Sequence, residues 1–242
     1  DSGKDRLYEV KWHPQARQGQ QLPPDYLPAP KKLYNDLFPQ LETLAARQDV
    51  KDYGRLLEQI EFLSIDYIVN AFREIGLSFQ EGQGFSTGDL EAELGIVSRS
   101  RWHFNRLLEM LEEAGILQHN AQQWSVARVP DIRDPQIQWQ ALSTRYPMGK
   151  IELTMLERCG SRLAEVLQGE CDPLQLLFPE GELTTATSLY QETLPACLMN
   201  TLIQQVVKRS LAKLPQSRQL RIVEIGAGTG ATSSYILPHL PV

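Results

Sequence analysis

A chain of 242 residues has room for one large or two small domains, and its 42% hydrophobic content supplies a proper core and excludes a disordered polymer. A formal net charge of −6 at pH 7 argues against a general nucleic-acid binder, because phosphate neutralisation needs a surplus of Lys and Arg on one face. No apolar run approaches the roughly 18 residues of a membrane helix. Cys159, Cys171 and Cys197 are odd in number, form no C-x-x-C pair and have no His at metal spacing, which leaves buried reduced thiols and a cytoplasmic location as the expectation and no metal site. The start, Asp1-Ser2-Gly3-Lys4-Asp5-Arg6, has neither an initiator Met nor an apolar signal core and reads as an internal cut in a longer polypeptide.

Leu7-Tyr8-Glu9-Val10-Lys11-Trp12 alternates as a short strand, and the proline-rich stretch from Leu22 to Pro30 follows as a stiff, extended connector. Residues 1–32 therefore read as an inter-domain linker. From about Leu33 apolar residues recur at helical intervals: Leu41, Leu44 and Ala45, then Leu56, Ile60, Leu63, Tyr67, Ile68, Ala71 and Phe72, ending near Gly76.

Between about residues 85 and 129 a compact unit is predicted. Ser86 opens a capped short helix, Arg101 to Ala114 forms a longer one with Phe104, Leu107, Leu108 and Leu111 inward, and Gly115 ends it. Ile116 to Gln118 and Gln123 to Val126 can then pair as a wing. This order resembles a winged helix, a shape that reads DNA in some proteins. Here residues 86–128 hold four Arg and no Lys against one Asp and five Glu, a mildly acidic balance that disfavours that use.

Further helices are predicted from Ile137 to Leu142 and from Ile151 to Leu167, the second ended by Gly169. Asp172 to Gly181 reads as a loop rich in apolar and aromatic surface, and Thr193 to Leu214 as a last long helix before Pro215. The sequence Arg221-Ile222-Val223-Glu224-Ile225-Gly226-Ala227-Gly228-Thr229-Gly230 follows. Ile222, Val223 and Ile225 read as a buried parallel strand, the glycines as a sharp turn that a ligand can approach closely, and Ala231 to Leu237 as the start of a helix. The dinucleotide fingerprint is G-x-G-x-x-G with an acid about 20 residues later. Here the spacing is G-x-G-x-G with Glu224 two residues before the first glycine, and a carboxylate suits a ligand ammonium group better than a pyrophosphate. A plain tight turn is the remaining reading of three close glycines.

The Glu224 and glycine arrangement resembles the first motif of class I S-adenosylmethionine (SAM) methyltransferases. Together with Tyr8-Glu9-Val10-x-Trp12, Leu177-Phe178-Pro179-x-Gly181, Leu189-Tyr190 and Asn200, it resembles the carbon-methyltransferase domain of modular type I polyketide synthases, over nearly the whole chain. That likeness implies a mainly α lid over residues 33–215, with its winged-helix-like unit, leading at 216–242 into the first βα unit of a Rossmann-like α/β core that is truncated here. It implies SAM as cofactor, held by Glu224, Gly226, Ala227, Gly228, Thr229 and Gly230, with Phe178, Tyr190 and Asn200 at the substrate and cofactor pocket. It also implies methylation of the α-carbon of a β-ketoacyl chain on an acyl carrier protein, with neighbouring synthase domains as partners and neither nucleic acid nor membrane. The family's catalytic His–Glu pair would lie beyond Val242, and none of His13, His103, His119 or His239 has an acid at a telling spacing, so no catalytic residue is assigned. On this reading residues 1–242 alone are inactive. Two alternatives stay open: an inactive remnant serving as a structural or docking module, and a winged-helix DNA binder.

Overall fold

The computed structural model describes residues 26–120, 123–179, 184–215 and 220–240. The expected strand at Leu7 to Trp12 and most of the proline-rich connector lie outside them. Helices α1 (Pro30–Ala45) and α2 (Gln48–Glu74) come first, the former opening with Pro30 at its first position, where a missing N–H costs nothing.

The winged-helix-like unit is built on the C-terminal half of α2, followed by β1 (Gly84–Ser86), α3 (Thr87–Glu93), α4 (Arg101–Glu113), β2 (Leu117–Asn120) and β3 (Gln123–Val126). The strands form an antiparallel sheet in the order β1-β3-β2, with Phe85 opposite Trp124 and Leu117 opposite Val126. Strand β1 was not expected from the sequence. It is three residues long, too short for a period-2 signal, and exists because β3 offers it a free edge. Ser86 both ends β1 and caps α3, accepting a hydrogen bond from the Asp89 N–H at 3.1 Å. The unit's core joins Ile68, Val69 and Phe72 of α2 to Phe104, Leu108 and Leu111 of α4 and to Trp124 and Val126 of β3. The Phe72 and Phe104 rings lie 5.4 Å apart in a tilted pair.

A second core forms on another face of α2, between Leu56 and Tyr67. Leu56, Leu63 and Tyr67 pack there with Leu142 and Tyr146 from α5 (Pro135–Arg145) and its end, and with Leu153 of α6 (Lys150–Gly160). The single helix expected from Ile151 to Leu167 is instead two, α6 and α7 (Leu163–Gln168), separated at Ser161 and Arg162. The break lets α6 serve the second core while Leu167 of α7 reaches the first. Helix α7 is fastened to the turn before α4 by four bonds. Val97 N–H donates to Leu167 O at 3.1 Å, Ser100 Oγ to Val166 O at 3.0 Å, Arg99 to Gly169 O at 3.0 Å, and Gln168 to Leu94 O at 3.0 Å.

The segment after Asp172 is also more ordered than expected, holding α8 (Pro173–Leu177), whose N-terminus Asp172 caps through the Leu174 N–H. Helices α9 (Thr184–Gln191), α10 (Leu194–Leu211, capped by Thr193) and α11 (Ala231–Ile236) are the last α-helices among the described residues. Of the cysteines, Cys171 is buried while Cys159 and Cys197 are half-buried, and all are free thiols. No described helix is long and apolar enough to cross a membrane.

Two close contacts give tests. A Cβ at Gly160 would fall within 2.8 Å of three Tyr67 ring atoms, whereas one at Gly88 would meet nothing within 4 Å. Gly160→Ala is expected to destabilise by about 1–3 kcal/mol, and Gly88→Ala to stabilise by about 0.5–1 kcal/mol, read by urea denaturation. Burial, reinforced by the nearby charges of Glu157 and Asp134, pushes the Tyr67 phenol up to about 12, and its hydroxyl has no hydrogen-bond partner among the described residues. The unfolded chain releases that proton near about pH 10, so Tyr67 contributes stability that is full below that pH and is lost as pH rises toward about 12. Tyr67→Phe should therefore leave neutral-pH stability unchanged or raised and flatten part of the alkaline decline, measured as Tm between pH 9 and 12.

Candidate functional site

The turn at residues 226–230 has the backbone that its glycines were expected to provide. Gly226, Gly228 and Gly230 have φ of 75°, 56° and 71°, in the left-handed region that residues with a Cβ avoid. Gly230 closes the turn by donating its N–H to Ala227 O at 2.8 Å, and its carbonyl accepts from Ser234 N–H at 2.9 Å as α11 begins. A Cβ at Gly226 or Gly230 would meet only open space within 4 Å, so the turn faces outward and can be approached. Glu224 is exposed and accepts a hydrogen bond from Ser233 Oγ of α11, which fixes the acid beside the turn.

The expected buried parallel strand before the turn is not formed. Residues 220–224 pair with no strand among the described residues, and Val223 and Ile225 are 83% and 94% exposed. An apolar strand is buried only when neighbours satisfy its backbone on both sides and cover its faces, and no described segment does either. The glycine turn and α11 form without that support because α11 docks on α10.

Asn200 makes the docking specific. It is 5% exposed; its Oδ1 accepts from Thr232 Oγ1 of α11 at 3.0 Å and its Nδ2 donates to the carbonyl of Tyr190 on α9 at 3.0 Å. One side chain on α10 thus ties both neighbouring helices. Gln204 adds a bond from α10 to Tyr235 O at 2.9 Å. On the other side, Cys197 Sγ and the Tyr235 hydroxyl both donate to Gln191 O, at 3.1 and 3.5 Å, and the link to Cys197 with some burial raises the Tyr235 phenol above its ordinary range.

The structure therefore brings Glu224, the turn residues Gly226, Ala227, Gly228, Thr229 and Gly230, Asn200 and the Tyr190 backbone into one neighbourhood. The Tyr190 side chain is 58% exposed. Phe178 stands apart: it ends α8, half-buried, and that segment meets α9 through Arg158, whose guanidinium donates to Leu176 O at 3.2 Å and Thr185 Oγ1 at 3.3 Å. Ser233, Thr232, Gln204 and Arg158 were not singled out in the sequence. The hydroxyl run Thr232-Ser233-Ser234 after the last glycine was the available signal for the first two. His103 and His119 lie on the winged-helix-like unit, His119 stacked 4.2 Å from Trp124, and His239 is exposed after α11. Among the described residues no group of three His, Cys, Asp or Glu could hold a metal ion.

This fold has close counterparts. The CurJ carbon methyltransferase is 44% identical and superposes with a TM-score of 0.80 over 86% of this chain and 56% of that one. The likeness to polyketide-synthase carbon methyltransferases is thus shown. Two more such domains share the fold: the DszA carbon methyltransferase, 23% identical with a TM-score of 0.67 over 89% of this chain and 53% of that one, and the citrinin polyketide synthase CMeT domain, 24% identical at 0.70 over 88% and 57%. Among curated proteins, the non-reducing polyketide synthase pks11 of Talaromyces marneffei is 30% identical over 182 residues and ausA of Emericella nidulans 28% over 189. These matches take in 74% and 76% of this chain, which spans 7% of either synthase. No family model matches. The helical unit with its winged-helix-like part, leading to the glycine turn and α11, is the fold class expected from the sequence.

Removing the Asn200 amide tests the docking of α11. Asn200→Ala leaves Thr232 Oγ1 and Tyr190 O without their partner and is expected to cost about 1–3 kcal/mol. Hydrogen exchange at Ser233 to Ile236 should quicken, while exchange in α4 stays as in the parent.

Proposed function

We propose that this chain supplies the substrate-side helical lid and the first cofactor-binding turn of a SAM-dependent carbon methyltransferase, with residues 33–215 forming the lid and 216–242 the start of the cofactor core. The carrying observation is Glu224 fixed by Ser233 beside three left-handed glycines, the first and last of which face open space. Those residues fit the methionine end of SAM: a carboxylate for its ammonium group, and glycine backbone that can approach without a Cβ between. When bound, the cofactor supplies an electrophilic methyl group. Glu224 and residues 226–230 bind and orient it. Asn200 is a positioning residue that holds α11, and with it the end of the turn, on α10. The exposed Tyr190 ring and Phe178 face the acyl substrate in this reading. The 44% identity to the CurJ carbon methyltransferase supports the activity, and the repeated matches to polyketide synthases support neighbouring synthase domains as partners.

The acceptor we propose is the α-carbon of a β-ketoacyl chain carried on an acyl carrier protein. Loss of its proton needs a base within hydrogen-bond reach; we assign that role to none of the four histidines of this chain, and propose that residues 1–242 alone are inactive. The test is intact-protein mass spectrometry of a β-ketoacyl carrier protein incubated with SAM and the methyltransferase domain that carries this sequence. One or two added methyl units are expected, and an unchanged mass would sink the proposal. Glu224→Gln in the same domain should weaken SAM binding about tenfold by calorimetry, the loss of one charge-assisted contact.

A further inference from the structure

A hollow of about 430 Å³ lies between α4 and the α6 to α8 helices, away from the glycine turn and sharing no residue with it. Its size falls in the range of small-molecule sites, about 300–1,000 Å³. Its walls are aliphatic: Leu107 from α4, Leu163 and Val166 from α7, and Leu174 and Leu177 from α8. Leu174 is 59% exposed and Trp102 at the rim 74%, so apolar surface is open to water here. The α7 wall is held rigidly by the four bonds to residues 94–100, and Asp172 and Pro173 set the start of the α8 wall.

The charges at the rim are unequal in what they can still do. Arg106 is bound by Glu109 at 3.0 Å and Glu113 at 2.8 Å, and the Asp172 carboxylate is turned to the Leu174 N–H. Arg99 donates one bond to the Gly169 carbonyl and has no carboxylate partner among the described residues. An aliphatic trough with one such guanidinium at its edge complements a molecule with a hydrocarbon body and a single anionic end. Cys159 also lines the hollow, but burial raises its thiol, which keeps it protonated and argues for a non-covalent site.

We propose that this hollow binds an amphiphile with an aliphatic chain and a carboxylate head, the chain lying against Leu163, Val166 and Leu174 and the head paired with Arg99. The site is separate from the proposed cofactor turn and does not depend on it.

Calorimetric titration of the 242-residue chain with decanoate, and with nonyltrimethylammonium as a probe of equal alkyl length and opposite charge, tests this below the micellar concentration of each. Decanoate is expected to bind about tenfold more tightly. Arg99→Gln should abolish that preference while leaving chain-dependent binding. Val166→Trp fills the trough and should remove decanoate binding; Leu174→Gln, at an exposed position that the fold does not need, should weaken it severalfold. Met199→Gln and Ile203→Gln, on the exposed apolar side of α10, should change nothing. No decanoate binding, equal binding of the two probes, or loss produced by the α10 variants and not by Leu174→Gln would each overturn the assignment.

Discussion

Helix α2 has to bury two apolar faces along one rod, and the rest of the structure is arranged around that demand. Its 27 residues span about 40 Å, too long for one small core to cover. On one face Leu56 and Leu63 are buried by α5 and α6, and on the other Ile68, Val69 and Phe72, toward the end of the helix, by the winged-helix-like unit. Tyr67 sits where the two cores meet, its ring pressed on Gly160 at the end of α6. The break between α6 and α7 is a consequence. The chain interrupts itself at Ser161 and Arg162, which leaves Leu153 of α6 in one core and sends Leu167 of α7 into the other.

The winged-helix-like unit is a packing solution within that frame, and function does not follow from its shape. In proteins that read DNA the helix corresponding to α4 carries its cations into the major groove. Here Arg106 is engaged by Glu109 and Glu113, and Arg101 by Glu91, so those cations on α4 are answered within the unit itself. Arg99 departs from this pattern, and it stands at the mouth of the aliphatic hollow.

Much of this was legible in the sequence because local signals and tertiary packing agreed. Ser86 as a cap, Gly115 and Gly169 as helix ends and the inward set Phe104, Leu108 and Leu111 all depend on rules that act over a few residues. The left-handed glycines at 226, 228 and 230 are of the same kind. What escaped depended on partners distant along the chain. Strand β1 needed β3, whose Trp124 lies opposite Phe85 although 39 residues further along the chain, and the α6–α7 break needed the two cores of α2. Helix α8 is a different case: Asp172 followed by Pro173 is an N-cap and first-turn pair, and the apolar residues after it obscured that signal. In the candidate site the acid and glycines could be read directly, whereas Ser233 and Thr232 acquire their roles only when α11 folds back on α10. The exposed Ile225 marks the opposite outcome, an apolar pattern whose covering partners are not among the described residues.

The helices α9 to α11 are joined differently from the two cores. Among their described residues only Thr193, Asn200 and Ala231 are fully buried, so the join relies on the bonds of Asn200, Gln204 and Gln191 more than on removal of apolar surface. Heat capacity on opening scales with apolar area newly wetted, and polar exposure subtracts from it. Separation of α11 from α10 therefore carries a small heat-capacity change, and its free energy is nearly linear in temperature. The α2 cores follow the curved profile of a buried apolar interior. The two parts of the molecule respond to cooling by different laws, and the candidate cofactor turn belongs to the part whose stability has no downturn in the cold.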